Sequence, residues 1–389
     1  MFTLILGTVL LTTLALAVGL WRGANRLEHL AASPWPTRAP HVTVVVAARN
    51  EGTTIEPAVR SMLSQRGLAP ESRVIAVNDR SEDDTGAVLD RLATEHDQLI
   101  VRHIEALPTG WLGKNHALWT GAQEADGDWL LFTDADVVMG PETIARAAGR
   151  AQHQGLQHIT AMPSITAQSP LLRIMIIQFA ISFLAFFRPW RMAYDASSFA
   201  GIGAFNLVDA ATYHRVDGHR AIALTPLDDI LLGRLLRHGG ADARLVFGDD
   251  LLRLVWYPDA SSMIRAFNKN GFAAFDYRIT RLAAATGLYL GVGVLPWLAL
   301  LIPGATSQLV AGATVAIAIW LQAWFAHQNG WPWHTALLAP VGTTLLIWMW
   351  WRAALITLYQ GGVSWRGTHY RLAELREHHE RLDGRWPRS

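Results

Sequence analysis

Two hydrophobic patterns alternate along the chain. Residues 2–21 form one uncharged run of twenty, long enough to span a hydrocarbon core. After Arg281 apolar runs return at 282–302, 307–326 and 335–359, parted by Pro303-Gly304 and by the stretch from His327 to Trp333. Short runs of strand length, rich in β-branched and aromatic residues, lie between these regions at 42–48, 74–78 and 129–133. Helical patterns at 54–65 and 85–93 separate them. Strand and helix in alternation predict a parallel α/β sheet. The predicted organisation is an anchor (1–22), a linker (33–40), an α/β domain (41–281), C-terminal transmembrane helices (282–360) and a basic tail (361–389).

Charge orients this plan. Arg22 and Arg26 follow the first run and nothing basic precedes it. That disfavours a cleaved signal peptide and puts the α/β domain on the cytoplasmic side of the inner membrane. Three further crossings leave the tail outside, yet Arg366, Arg371, Arg376, Arg381, Arg385 and Arg388 favour the inside. Either one of the three runs does not cross, or the tail is the exception. Residues 171–188 nearly reach crossing length, apart from Arg173 and Gln178. A crossing there would separate Asp136 from Asp228-Asp229. If those residues share a site, the segment is a core helix or lies in the membrane interface.

Composition narrows the classes. With 51% hydrophobic and 17% charged residues, the chain is too apolar for an ordinary soluble protein. A net charge of +1 gives no reason to expect a nucleic-acid partner. The absence of cysteine excludes disulfides, thiolate metal sites and a cysteine nucleophile. Of 33 basic residues only Lys114 and Lys269 are lysine, so these two are candidates for sites that need a compact ammonium.

Polar groups cluster where strands end. The run from Trp129 finishes in Asp134-Ala-Asp136, and in open α/β sheets ligands collect beyond the carboxyl ends of strands. Such hard oxygen ligands suit Mg²⁺ or Mn²⁺, with phosphate and water completing the shell. Asp79 ends the second strand, where a turn role competes with binding. Asp83 and Asp84 suit the start of the following helix. Lys114 follows Gly113, which leaves room for a phosphate near the backbone. In Thr225-Pro-Leu-Asp228-Asp229, Thr225 reads as an N-cap with Pro226 at the first helical position. Asp228 then returns the capping bond, and Asp229 is free to act as a base. Glu377-His-His-Glu380 reads as a solvated helix face.

As an ordered set, the segments around Glu51, Asp79, Lys114 and Asp134-Ala-Asp136 resemble family-2 glycosyltransferases of GT-A fold. Within that family they resemble the membrane-bound bacterial enzymes that glycosylate lipids such as carotenoids and hopanoids. The resemblance covers about residues 41–280. It implies that Glu51 and Asp79 hold the base and ribose of a nucleotide-diphospho-sugar, foremost a UDP-sugar, and that Lys114 lies beside the diphosphate. It further implies that Asp134 touches sugar and ribose, that Asp136 holds the divalent ion, and that Asp229 is the general base of an inverting transfer to a membrane lipid. The Gln-x-x-Arg-Trp motif of the processive synthases is absent; Arg385-Trp386 stands near the terminus without the glutamine. Arg265 and Lys269 are candidates to meet the acceptor or a phosphate, or else form a membrane-surface cluster. Rival readings are a polyprenyl-phosphate sugar transferase and a non-catalytic membrane subunit that binds nucleotide-sugar.

Overall fold

The computed structural model describes residues 1–385, so Arg388 and the end of the predicted tail lie outside the described residues. It forms two units. The first comprises Met1–Arg26, Ala167–Arg188 and Tyr257–His379; the second comprises Leu27–Thr166, Pro189–Trp256 and the chain from Glu380.

The second unit is built on an eight-stranded sheet. Its strands are β1 (Glu28–His29), β2 (Val42–Ala48), β3 (Arg73–Asp79), β4 (Leu99–Ile104), β5 (Trp129–Asp134), β7 (His158–Met162), β9 (Asn206–Asp209) and β10 (Ala243–Phe247). They lie in the order β1-β10-β7-β9-β5-β2-β3-β4. All neighbours are parallel except β9, which runs antiparallel to β5 and β7. Strands β6 (Val138–Met139), β8 (Ser164–Ile165) and β11 (Leu252–Leu254) form a small second sheet. Helices α2 (Ile55–Leu63), α3 (Thr85–Glu95), α4 (Gly113–Gln123), α5 (Thr143–Gln154), α7 (Ala210–Arg215), α8 (Gly218–Ala221) and α9 (Asp228–His238) complete the unit.

Alternate residues of β2 feed two cores, as the twofold period of a strand dictates. Val44 and Val46 pack with Ile55, Val59 and Leu89, while Val45 packs with Leu118, Phe132, Leu232 and Leu236. The unit begins earlier than residue 41. Residues 33–40 are not a free linker, because Arg150 donates to Ser33 Oγ (2.9 Å) and Gln152 Oε1 accepts from Thr37 N (2.9 Å). Arg150 also pairs with Glu28, fastening β1 along β10.

The first unit gathers α1 (Phe2–Ala24), α6 (Pro170–Phe187), α10 (Ala260–Asn270), α11 (Ile279–Gly293), α12 (Leu295–Ala299), α13 (Ala305–Gln328), α14 (Ala339–Tyr359), the hairpin β12 (Gly362–Trp365) with β13 (Thr368–Arg371), and the start of α15 (Leu372–Arg385). Among the described residues, four helical segments are long and apolar enough to cross a membrane: Phe2–Ala24, Pro170–Ala193, Ala305–Gln328 and Trp333–Tyr359. The expected run 282–302 is not one of them. It breaks at Val294, where α11 ends and α12 starts with Pro296 in its first turn. Proline lacks an N–H and its ring collides with the carbonyl four residues back, so a helix kinks or breaks there. Nor does the end of the chain stand free. Leu382 is buried in the core with Leu118, Phe132 and Tyr213. His379 is buried too, 3.8 Å from Asp276 and edge-on to the Tyr277 ring, rather than on a solvated face.

Candidate active site

The carboxyl ends of β2, β3 and β5 open on one region, and the connections that follow them are tied together. The Glu51 N–H donates to Thr85 Oγ1 (2.7 Å), Asn50 N–H to Ser81 Oγ (3.0 Å) and Gly52 N–H to Asp83 Oδ2 (3.0 Å). Asp83 thus joins two loops rather than only favouring a helix start. Glu51 Oε2 accepts from Thr54 Oγ1 (2.9 Å).

Asp79 ends β3 and is buried. Arg80 grips it through Nε (2.7 Å) and Nη2 (3.1 Å), and Arg49 Nη1 lies 3.9 Å away. The motif reading singled out neither arginine. Helix α4 begins against this carboxylate: a Cβ on Gly113 would lie 2.3 Å from Asp79 Oδ2, so only glycine permits the approach.

One residue on, the Lys114 ammonium stands 2.8 Å from Asp134 Oδ1 and 2.9 Å from Asp228 Oδ2. Burial alone would lower it, but Asp134, Asp228 and Asp229 outweigh burial and hold it well above the usual lysine range. This corrects the capping role expected of Asp228. Helix α9 starts at Asp228 itself, the Thr225 hydroxyl accepts only from Leu227 N (3.4 Å), and the Asp228 carboxylate serves the ammonium.

Asp229, next along α9, accepts from Gly203 N (2.8 Å) and from Ile230 N (2.8 Å). Burial, then the Asp228 charge, pushes it up to about 6. Asp136 follows β5 and is pushed up to about 7 by burial, then by the Asp134 and Glu51 charges. A carboxyl raised by its acidic neighbours fits a divalent cation, which would relieve that repulsion. Among the described residues no three His, Asp or Glu side chains form a ready-made cage. One carboxylate with a diphosphate suffices for Mg²⁺ or Mn²⁺.

Lys114, Asp134, Asp228 and Asp229 line one small cavity with Thr133, Gly203 and His219. The neutral His219, held down to about 3 by burial, pairs through Nδ1 with Tyr213 Oη (2.9 Å). Arg265 and Lys269 belong to the other unit. Arg265 bonds Ser261 and Ser262 on its own helix, and Lys269 sits 4.0 Å from the Trp365 ring centre.

The family model described as Glycosyl transferase family 2 matches residues 43–202. The chain therefore carries a family 2 glycosyltransferase domain. The match contains Glu51, Asp79, Lys114, Asp134 and Asp136, whereas Asp228 and Asp229 lie beyond it. Succinoglycan biosynthesis protein ExoO of Rhizobium meliloti is 33% identical over 120 residues, 31% of this chain and 32% of that protein. The 4,4'-diaponeurosporenoate glycosyltransferase of Staphylococcus haemolyticus is 30% identical over 124 residues, 30% of this chain and 31% of that protein. The chain thus spans about a third of the length of these curated relatives. A mannosyltransferase from Pyrobaculum calidifontis, solved with GDP-Man and Mn²⁺, superposes with a TM-score of 0.55 at 18% identity, covering 92% of this chain and 99% of that one. The glycosyltransferase domain has the GT-A fold.

Proposed function

We propose that the protein is an inverting glycosyltransferase that moves one sugar, a hexose, from a nucleotide-diphospho-sugar to a hydroxyl of a membrane lipid. The observation that carries this reading is the Lys114 ammonium between Asp134 and Asp228, with Asp229 alongside, in a chain that also has span-length apolar helices. In this reading Glu51 and Asp79 face the base and ribose of the donor, foremost a UDP-sugar, and Asp134 faces the sugar. Asp229 accepts the acceptor's proton as its oxygen attacks the anomeric carbon. The bond to the diphosphate breaks on the opposite face, and the Lys114 charge offsets the negative charge that develops there. Asp136 would hold Mg²⁺ or Mn²⁺, which when bound supplies further stabilisation of the leaving diphosphate. The names of relatives such as the diaponeurosporenoate glycosyltransferase support a lipid acceptor. The test offers isolated membranes a panel of labelled nucleotide-sugars. Label should enter one lipid, and excess chelator should stop it. Label appearing only in a water-soluble sugar would overturn the reading.

A topology follows from the same reading. Strand β7 precedes α6 and β9 follows it, yet the two are hydrogen-bonded neighbours, so α6 does not carry the chain across a bilayer. With the α11–α12 segment, interrupted at Val294 and Pro296, also taken as non-crossing, the spans are α1, α13 and α14. That count returns the arginine-rich tail to the domain's side, in keeping with Leu382 in the domain core. The chain has no cysteine, so single-cysteine labelling is clean. In intact cells an impermeant maleimide should label Asn329→Cys, between α13 and α14, and spare Ser364→Cys in β12. The reverse pattern, or equal labelling, would refute this topology.

A further inference from the structure

The segment Ala200–Phe205 passes between the end of β5 and the first turns of α9 with no room to spare. A Cβ on Gly201 would lie 1.8 Å from the Asp229 carbonyl oxygen, one on Gly203 2.7 Å from Asp134 Oδ2, and one on Gly233 2.0 Å from the Ala200 carbonyl oxygen. The Gly203 N–H then points at Asp229 Oδ2. Two buried threonines hold the segment from behind. The Thr160 hydroxyl, on β7, accepts from Ile202 N (2.9 Å) and donates to the Phe205 carbonyl (2.9 Å). The Thr133 hydroxyl donates to the Ala204 carbonyl (2.8 Å). Asn206 Nδ2 donates to the Ile202 carbonyl (2.8 Å), and its own oxygen is fixed by His158 Nε2 (3.1 Å).

We infer that Thr160 is a positioning residue for the transfer reaction: its hydroxyl latches the 201–205 loop so that the Gly203 N–H orients the Asp229 carboxylate and favours its charged form. The inference rests on Asp229 being the base. No other side chain on the strand supplies both bonds. Valine has the same shape at this buried site but can neither accept from Ile202 nor donate to Phe205, so the peptide at Ile202 loses its side-chain acceptor and the loop is held less firmly, by Thr133 and Asn206 alone among these side chains. The charged groups that face Asp229 are Asp228, Lys114 and Asp134, and none is altered by the change.

The experiment compares Thr160→Val, Thr160→Ser and Asp229→Asn, with rates normalised to nucleotide-binding sites. Thr160→Val should leave the donor KM near that of the parent, and lower kcat about tenfold or more on the acidic side. An N–H to a carboxylate favours its charged form, so on losing the Gly203 bond the acidic limb of the rate profile should move up in pH. Thr160→Ser should restore both. Thr133→Val releases the same loop at Ala204 and should shift the limb in the same direction, which keeps the test decisive if Thr160→Val does not fold. A folded valine variant with parental kcat and limb would overturn the latch while Asp229→Asn stays inactive. An active Asp229→Asn would instead overturn the base.

Discussion

Asp229→Asn is expected to lower sugar transfer by about 10²- to 10⁴-fold, the usual contribution of a general base, while nucleotide still binds. The carboxylate is the one acidic group in the cluster that the Lys114 ammonium does not contact directly, and its two hydrogen bonds come from backbone N–H groups. It is thus oriented yet still able to take a proton. Burial raises it to about 6, so the parent should lose rate tenfold per unit as pH falls below that value, and the residual rate of the variant should lack this limb. Stability should move the other way. A carboxyl raised on folding holds its proton more tightly in the native state, so keeping it ionised above about 6 opposes folding. Asparagine carries no such charge, and the variant should be at least as stable as the parent at pH 7. Rate profiles and thermal unfolding of the two proteins check this. A variant with parental turnover would remove Asp229 from the chemistry.

How much of this was legible in the sequence varied with the physics involved. Strands β2, β3 and β5 stand within a residue or so of their expected bounds, because these buried parallel strands are short continuous apolar runs, whereas β4, β7 and β10 carry charged or polar residues and do not stand out. Positions where a strand ends in Asp are equally plain, so Asp79, Asp134 and Asp136 were in view from the start. What escaped were pairings across long sequence distance. Capping arithmetic assigned Asp228 from its neighbours alone, and no local pattern reports an ammonium 114 positions earlier. Arg80 was overlooked because it reads as a turn residue beside Asp79, and the Gly201-x-Gly203 segment because its glycines matter only against Asp134 and α9. The run 282–302 is interrupted for a simpler reason: hydropathy counts Pro296 as one residue among many, whereas α11 stops at Gly293, just before it.

Lys114→Met is expected to cost the fold about 2–3 kcal/mol, less than the roughly 3–5 kcal/mol of a fully buried pair, because Lys114 and Asp134 keep 21% and 34% of their side chains exposed. Two contacts below 3 Å make this lysine the local counter-charge for Asp134 and Asp228, with Asp229 nearby. The lysine is held above its ordinary range. The lysine's own titration leaves its contribution intact below about 10 while its carboxylate partners stay ionised, and removes it as pH rises through the raised folded value. Methionine fills much the same volume, so the change reads charge rather than packing. With the ammonium gone, three carboxylates share one cavity, and the deficit should shrink as the pH is lowered and they take up protons. Lys114→Arg should recover only part of the loss. A planar fork must meet Asp134 and Asp228 from one fixed plane, whereas an ammonium turns its three protons to both. Unfolding in detergent at pH 7 and pH 5 measures this. A Met variant as stable as the parent at pH 7 would mean that the carboxylates already share protons, and that Lys114 serves the donor alone.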